Sequence, residues 1–403
     1  MATLKYTGSI YRVSECERVA VIPPIDLTEQ FKAIQQEVNA AVADVLASGK
    51  YINGPIVQTF ARSFGDYIGT SECVVCNSGT DALYLALRAL NIGPGDEVIT
   101  SPFTFIATAE TISAVGATPV FVDIDLNTFN LDCSRLEAAI SDRTRAIIPV
   151  HLFGCPVDMD QVMAIATRHS LYVIEDCAQA TGAEWQGRRV GSIGHVGCFS
   201  FFPTKNLGGC GDGGAVTTND PDLADTIKMV AEHGSRVKYH HEAIGINSRL
   251  DSVQAAILAI KLRHLDRWNQ ARAQVAARYH DLLQSLDQII LPQASSSGKA
   301  VWNQYTLRLT TTTGAHRRRD QVRQALADQG IICMVYYPIP LHLQPVYGAL
   351  NCSPGAYPAA ELAAQQVLSL PMFPELQVEQ QVQVVQGLKQ AWQTMAATTP
   401  LYC

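Results

Sequence analysis

The stretch Phe199-Ser200-Phe201-Phe202-Pro203-Thr204-Lys205-Asn206-Leu207-Gly208-Gly209 decides how this chain is read. It closes a mostly apolar run, Val196 to Phe202, whose composition predicts a strand buried on both faces. The strand delivers a single lysine, Lys205, into the glycine-rich loop Gly208-Gly209-Cys210-Gly211-Asp212-Gly213-Gly214. A lysine in that place is either a solvated loop charge or a chemical tool. Alone it reads as solvated, because lysine is almost never buried without a partner.

Upstream, the pattern of strand, loop and helix repeats. Apolar runs at Cys73–Cys76, Glu97–Thr100, Pro119–Val122, Arg145–Val150 and Leu171–Glu175 are each separated by a segment of helical length. Near-continuous apolar strands alternating with helices predict an α/β fold with a mostly parallel sheet covered on both faces. Ligands gather outside the carboxyl ends of such strands. Before the first strand, helical patterns run from Thr28, as N-cap, to a stop at Gly49, and from Ile56 to Tyr67 with Gly69 as terminator. After Lys205 come a strand at Ala215–Thr218, a helix at Pro221–Glu232 and a long helical pattern from Leu250 to about Leu286. A Ser- and Gly-containing segment, Gln293 to Lys299, precedes the run Tyr305–Leu309, a helix at Asp320–Asp328, a strand at Ile332–Tyr336 and two terminal helices.

With 403 residues, 47% of them hydrophobic and 17% charged, the chain has ample material for a large core and suggests two domains. A net charge of −7 offers no footprint for nucleic acid or an anionic membrane. The one dense basic run, His316-Arg317-Arg318-Arg319, precedes Asp320 and reads as a solvated helix start. Neither a signal peptide nor a membrane-length apolar window is legible, so a cytoplasmic location is expected. The eleven cysteines are odd in number and scattered through apolar segments, as reduced thiols would be. Cys73 and Cys76 have the spacing of a metal or redox pair, but positions three apart on a strand face opposite ways, and no metal site is expected.

Asp176 follows the strand ending at Glu175, so its carboxylate is expected at the ligand-binding edge of the sheet. A buried carboxylate there needs a cation. The partner is either an Arg or Lys in an internal ion pair or the protonated nitrogen of a pyridine ring, which such an aspartate keeps charged. Asn77-Ser78-Gly79-Thr80-Asp81 leaves a strand and opens a helix, a geometry that offers backbone N–H groups and a hydroxyl to a phosphate, although Asp81 could simply cap. Ser200, five residues before Lys205, is within reach of the same phosphate or is an ordinary strand serine. Phe105 could stack on a ring or belong to the core, and Gln179 could bond near a ring oxygen or cap a turn.

These residues fall in one order, and the segments SGTDAL, SPFTFIATAETI, VHLFG, IEDCAQA and SFFPTKNLGGCGDGGAV resemble those of the DegT/StrS-type nucleotide-sugar aminotransferases. The resemblance continues through Lys238-Tyr239, His241, Gly245, Asn247 to Asp251, Gln254 to Ala256 and Tyr337 to His342, and covers roughly Ile22 to Leu388. It implies the type I, aspartate-aminotransferase-like fold of pyridoxal-phosphate enzymes: a lead-in over residues 1–22, a large cofactor-binding domain over 23–265 and a smaller α+β domain over 266–403, bridged by a helix over about 250–286. By the same resemblance, Lys205 joins the cofactor, Asp176 pairs with the pyridine nitrogen, Gln179 contacts the ring, and Gly79, Thr80 and Ser200 hold the phosphate. Phe105 fits the aromatic platform. Asn247 would reach the cofactor phosphate of a neighbouring subunit, which implies a homodimer with shared active sites.

The implied reaction is transfer of an amino group from an amino acid, by family habit L-glutamate, to a keto-sugar carried on UDP or dTDP. Arg249 and His342 could meet the diphosphate or a sugar carboxylate, or be a structural ion pair and a loop histidine; His151 stands at a strand end near the site, where packing is an equal alternative. The Tyr337–His342 segment resembles the 3-keto branch. A relative that dehydrates or aromatises its substrate, and a cofactor-binding regulatory protein without turnover, are the alternatives. Lys205 speaks against the branch that carries histidine in its place and removes a hydroxyl from sugars.

Overall fold

Val196–Ser200 is an inner strand of a seven-stranded sheet, buried on both faces. The structure is a computed structural model that describes residues 21–293, 297–310 and 315–398. The first twenty residues of the expected lead-in and the centre of the Gln293–Lys299 segment lie outside the described residues. In chain order the strands of the sheet are β1 (Glu72–Cys76), β2 (Glu97–Thr100), β3 (Thr118–Phe121), β4 (Thr144–Ile147), β5 (Tyr172–Asp176), β6 (Val196–Ser200) and β7 (Gly214–Thr218). Their order across the sheet is β1-β7-β6-β5-β4-β2-β3. Only β7 runs against the others, pairing antiparallel with both β1 and β6.

Period-two alternation sends the side chains of each strand into two cores. On one face Ile174, Val196 and Cys198 meet Leu83, Leu85 and Leu87 of α3 (Gly79–Ala89) and Ile227 and Val230 of α6 (Pro221–Ala231). On the other, Phe199 and Phe201 meet Phe60 and Phe64 of α2 (Pro55–Ile68), with Phe64 edge-on to Phe199 at 5.0 Å and to Phe201 at 5.2 Å between centroids. Edge-to-face pairs of this kind contribute about 0.5–1.5 kcal/mol beyond the area they bury. Cys76 packs in the first core and Cys73 against the second, so the C-x-x-C pair is split across the sheet. Among the described residues the cysteines form no disulfide, and no helix is long and apolar enough to cross a membrane.

The helical pattern expected over Leu250–Leu286 is two helices, α7 (Ser252–Leu262) and α8 (Leu265–Leu283). Between them the N–H groups of Arg263 and His264 bond back three residues, to the carbonyls of Ile260 and Lys261, which tightens the turn and bends the chain. Packing on both sides explains the break. Ile257 and Ile260 dock on Ile34 and Val38 of α1 (Thr28–Ser48), and Lys261 donates to the Gly208 carbonyl at 2.6 Å. Val275, Ala276 and Tyr279 join a separate core with Val322 and Leu326 of α9 (Ala315–Ala327) and Val384 and Leu388 of α11 (Val378–Thr398).

That second core lies on a three-stranded antiparallel sheet of β8 (Ile289–Ile290), β9 (Tyr305–Leu309) and β10 (Val367–Leu370). The expected strand at Ile332–Tyr336 is replaced by isolated bridges, Ile331 to Ile22 and Met334 to Ser369. The segment that pairs along its length with β9 is Val367–Leu370, directly after α10 (Pro358–Gln366). Helix α9 begins five residues before the expected Asp320, and Arg319, expected to be solvated, is buried with its guanidinium on the Ala364 carbonyl at 2.9 Å.

Candidate active site

Six parallel strands end at one edge of the sheet, and β7 begins there at Gly214, so the loop that carries Lys205 crosses the same edge. Asp176, the last residue of β5, and Ser200, the last of β6, stand on neighbouring strands paired Asp176 to Cys198. Just past β1, Ser78 caps α3 by accepting the Asp81 N–H at 3.0 Å. No described residue accepts the N–H of Gly79 or Thr80, so both remain available to a ligand, as the first N–H groups of a helix do. The Asp81 carboxylate, which would repel an anion here, is drawn aside by the Ser248 hydroxyl at 2.6 Å.

Gly79 faces Ser200 so closely that a Cβ built on it would lie 2.7 Å from the Ser200 Cβ. The Ser200 hydroxyl accepts the Phe202 N–H at 3.3 Å, which leaves its own proton to donate. Gly79, Thr80 and Ser200 therefore make a cradle of donors fitted to a phosphate. Gly79→Ala is expected to push the methyl into Ser200, to cost about 1–3 kcal/mol, and to weaken cofactor affinity roughly tenfold or more. Titrating the apoprotein with pyridoxal phosphate measures this, and unchanged affinity would remove Gly79 from the cradle.

Asp176 is buried, and burial pushes its carboxyl above the ordinary carboxylate range against the pull of the Thr108 hydroxyl, the Ala178 N–H and Lys205. The Lys205 amine is pushed down to about 8 by desolvation, with Asp176 pulling the other way. No described residue hydrogen-bonds that amine. Phe105, 56% exposed at the start of α4 (Ala107–Ala114), presents a free ring near Tyr337, 6.4 Å between centroids. A buried carboxylate, a partly neutral lysine, an open aromatic ring and the donor cradle suit a phosphorylated pyridine aldehyde.

Gln179 is committed to the protein at both ends: its Oε1 accepts the Phe153 N–H at 2.7 Å and its Nε2 donates to the Tyr337 hydroxyl at 3.1 Å. It thus ties the loop after β4 and the Tyr337 segment, which pack in one cluster with Phe103 and Phe129, to the end of β5. Burial raises the Tyr337 phenol, so it stays protonated and is free to donate. His151 is fully buried, its Nδ1 accepting the Val157 N–H at 3.0 Å and its Nε2 donating to Glu175 at 3.0 Å. Glu175 also accepts the N–H groups of Gly191, Ile193 and Gly194. His151, Glu175 and Cys177 lie together like metal ligands, yet the imidazole has no lone pair left to give.

Arg249 and His342 do not join this group. Arg249 lines a cleft of about 330 Å³ with Asn53, Gln58 and Lys228. The His342 side chain is buried, bonded through Nε2 to Glu361 at 3.0 Å and packed on Tyr357. Asn247 is exposed. Sequence reading missed Thr108, Ser78, Ser248 and Tyr337. Ser78 was recoverable from the cap spacing Ser78 to Asp81, whereas Thr108, 68 residues from Asp176, carried no local sign.

A profile of the DegT/DnrJ/EryC1/StrS aminotransferase family matches residues 32–389. The chain is 46% identical to dTDP-3-amino-3,4,6-trideoxy-alpha-D-glucose transaminase of Streptomyces venezuelae, over 92% of this chain and 96% of that one. It is 47% identical to UDP-N-acetyl-3-dehydro-alpha-D-glucosamine 3-aminotransferase of Acidithiobacillus ferrooxidans, over 89% and 95%. A protein of Geobacillus stearothermophilus called a pleiotropic regulatory protein is 46% identical over 93% and 100%. The fold superposes on the crystal structure of S. venezuelae DesV in complex with a ketimine intermediate with a TM-score of 0.88 and 46% identity, covering 92% of this chain and 98% of that one.

Proposed function

The chain belongs to the DegT/DnrJ/EryC1/StrS family and is a pyridoxal-phosphate-dependent aminotransferase, and from that premise we propose that it aminates carbon 3 of a keto-sugar carried on a nucleoside diphosphate, with L-glutamate as donor. The observation that carries the chemistry is Lys205, an amine held partly neutral beside Asp176 at the mouth of the phosphate cradle. The choice of carbon 3 is supported by relatives that share it while differing in carrier, dTDP in one and UDP in the other.

When bound, the cofactor supplies an electron sink and a temporary seat for the amino group. Asp176 would keep the ring nitrogen charged, and Gly79, Thr80 and Ser200 would hold the phosphate. Lys205 would hold the cofactor, and its amine would take the proton from the donor's α-carbon and return one to the sugar carbon. Phe105 would cover one ring face, and Gln179 donates to the hydroxyl of Tyr337, whose ring lies beside Phe105.

A second copy of the chain completes the site in this reading. Val237, Tyr239 and Ile244, around the ribbon Ser235–Val237 and His240–His241, are 65%, 84% and 82% exposed, an apolar surface that asks for a partner, and Asn247 follows directly. Loaded protein incubated with L-glutamate and UDP- or dTDP-linked 3-oxo and 4-oxo hexoses is expected to release 2-oxoglutarate in step with 3-amino sugar. Amination of the 4-oxo sugars alone would overturn the choice of carbon, and amino-sugar formation without 2-oxoglutarate would overturn the donor.

A further inference from the structure

Asp176 meets a hydroxyl that no motif announces. The Thr108 Oγ1 donates to its Oδ2 at 2.8 Å, and Thr104 Oγ1 lies 3.3 Å from Thr108 Oγ1. Both threonines are buried, Thr104 at 3% and Thr108 at 0% exposure, so water does not compete for these bonds. The direction of the chain follows from charge. An ionised carboxylate only accepts, so Thr108 gives its single proton to Asp176, and the lone pair of Thr108 is then filled by the Thr104 proton. Hydroxyls aligned this way polarise one another in a low-dielectric interior. The other carboxylate oxygen, Oδ1, takes the Ala178 N–H at 3.1 Å.

We propose that Thr108, backed by Thr104, is the positioning residue that keeps Asp176 ionised and aimed, so that the proton shared between its carboxylate and the cofactor's ring nitrogen rests on the nitrogen. The proposal rests on the aminotransferase reading above. Burial favours the opposite arrangement, a neutral acid beside a neutral ring, and the Thr108 bond is the largest of the contacts that oppose burial. The other charged or titratable groups that bear on Asp176 are Lys205, His151, Glu175, Tyr337, Cys177 and Cys198. His151 is turned toward Glu175, and the thiols and the phenol stay neutral, so the Thr108 hydroxyl on Oδ2 and the Ala178 N–H on Oδ1 are the direct contacts that hold the charge, and Thr108 is the side chain among them.

The test compares loaded Thr108→Val, Thr108→Ser and Thr104→Val with wild type, by titrating the cofactor's visible absorption against pH and by measuring the half-reaction with L-glutamate. With its ring less charged, Thr108→Val is expected to show the absorption midpoint moved up by about one pH unit. Its kcat is expected to fall roughly ten- to a hundredfold with KM nearly unchanged. Thr108→Ser restores both values, and Thr104→Val shifts the midpoint the same way but less. A wild-type midpoint and rate in Thr108→Val overturn the role. Should Thr108→Val fail to fold, Thr104→Val decides, and an unmoved midpoint there overturns it equally. Wild-type protein that takes up no cofactor would instead sink the aminotransferase reading itself.

Discussion

Lys205→Ala is expected to abolish turnover, with a loss of about 10⁴-fold or more, because in the proposed reaction one side chain would both hold the cofactor and move the proton. The variant should still bind pyridoxal phosphate through Gly79, Thr80, Ser200 and Asp176, but borohydride should no longer fix it to the chain, and mass spectrometry of the reduced protein reads this directly. A covalent adduct of unchanged yield in Lys205→Ala would mean that another amine carries the cofactor. The wild type adds a check with a definite sign. Its amine, pushed down to about 8, must be neutral to react. Capture of the cofactor by the apoprotein should therefore quicken as pH rises and level off above about 8, where an ordinary lysine would keep gaining toward about 10.4. At pH 7 roughly a tenth of the amine is then reactive, against a few parts in ten thousand for an exposed lysine.

Asp176→Asn removes the charge while keeping the shape. An amide at this place offers no negative charge to the ring nitrogen, and loss of one partner of a buried charge pair costs about 3–5 kcal/mol, which corresponds to a fall in kcat of roughly 10²–10⁴-fold. Borohydride trapping should survive, since Lys205 is untouched. The two variants are thus separable: one loses the covalent bond, the other keeps it and loses the proton chemistry. Stopped-flow measurement of the glutamate half-reaction checks the magnitude, and a kcat within threefold of wild type would show that the ring works without a counter-charge. The Ala178 N–H and the Thr108 hydroxyl, which both donate to this carboxylate, lose part of their acceptor in the same substitution, so some loss of stability accompanies it.

What the amino-acid sequence determined by itself was whatever is written locally. Strands β1 to β7 were legible within three residues at each end, because a strand covered on both faces is an apolar run of limited length, bounded by turn residues. Asp176 was legible because it stands where a strand stops, whereas Lys205, five residues past the end of β6, read by itself as a solvated loop charge and was singled out by the resemblance of the segments around it. The structure decided whatever depends on which distant segments meet. Helices α7 and α8 part at Arg263-His264 without a proline or glycine, since each follows a different core. Val367–Leu370 takes the place beside β9 that Ile332–Tyr336 fitted equally well by composition. His342 turns into the protein toward Glu361, and Thr108 finds Asp176 across 68 residues of chain. A hydrogen bond between side chains needs a few tenths of an ångström of precision, and no periodicity in the chain encodes that; only the packing of α4 against the edge of the sheet supplies it.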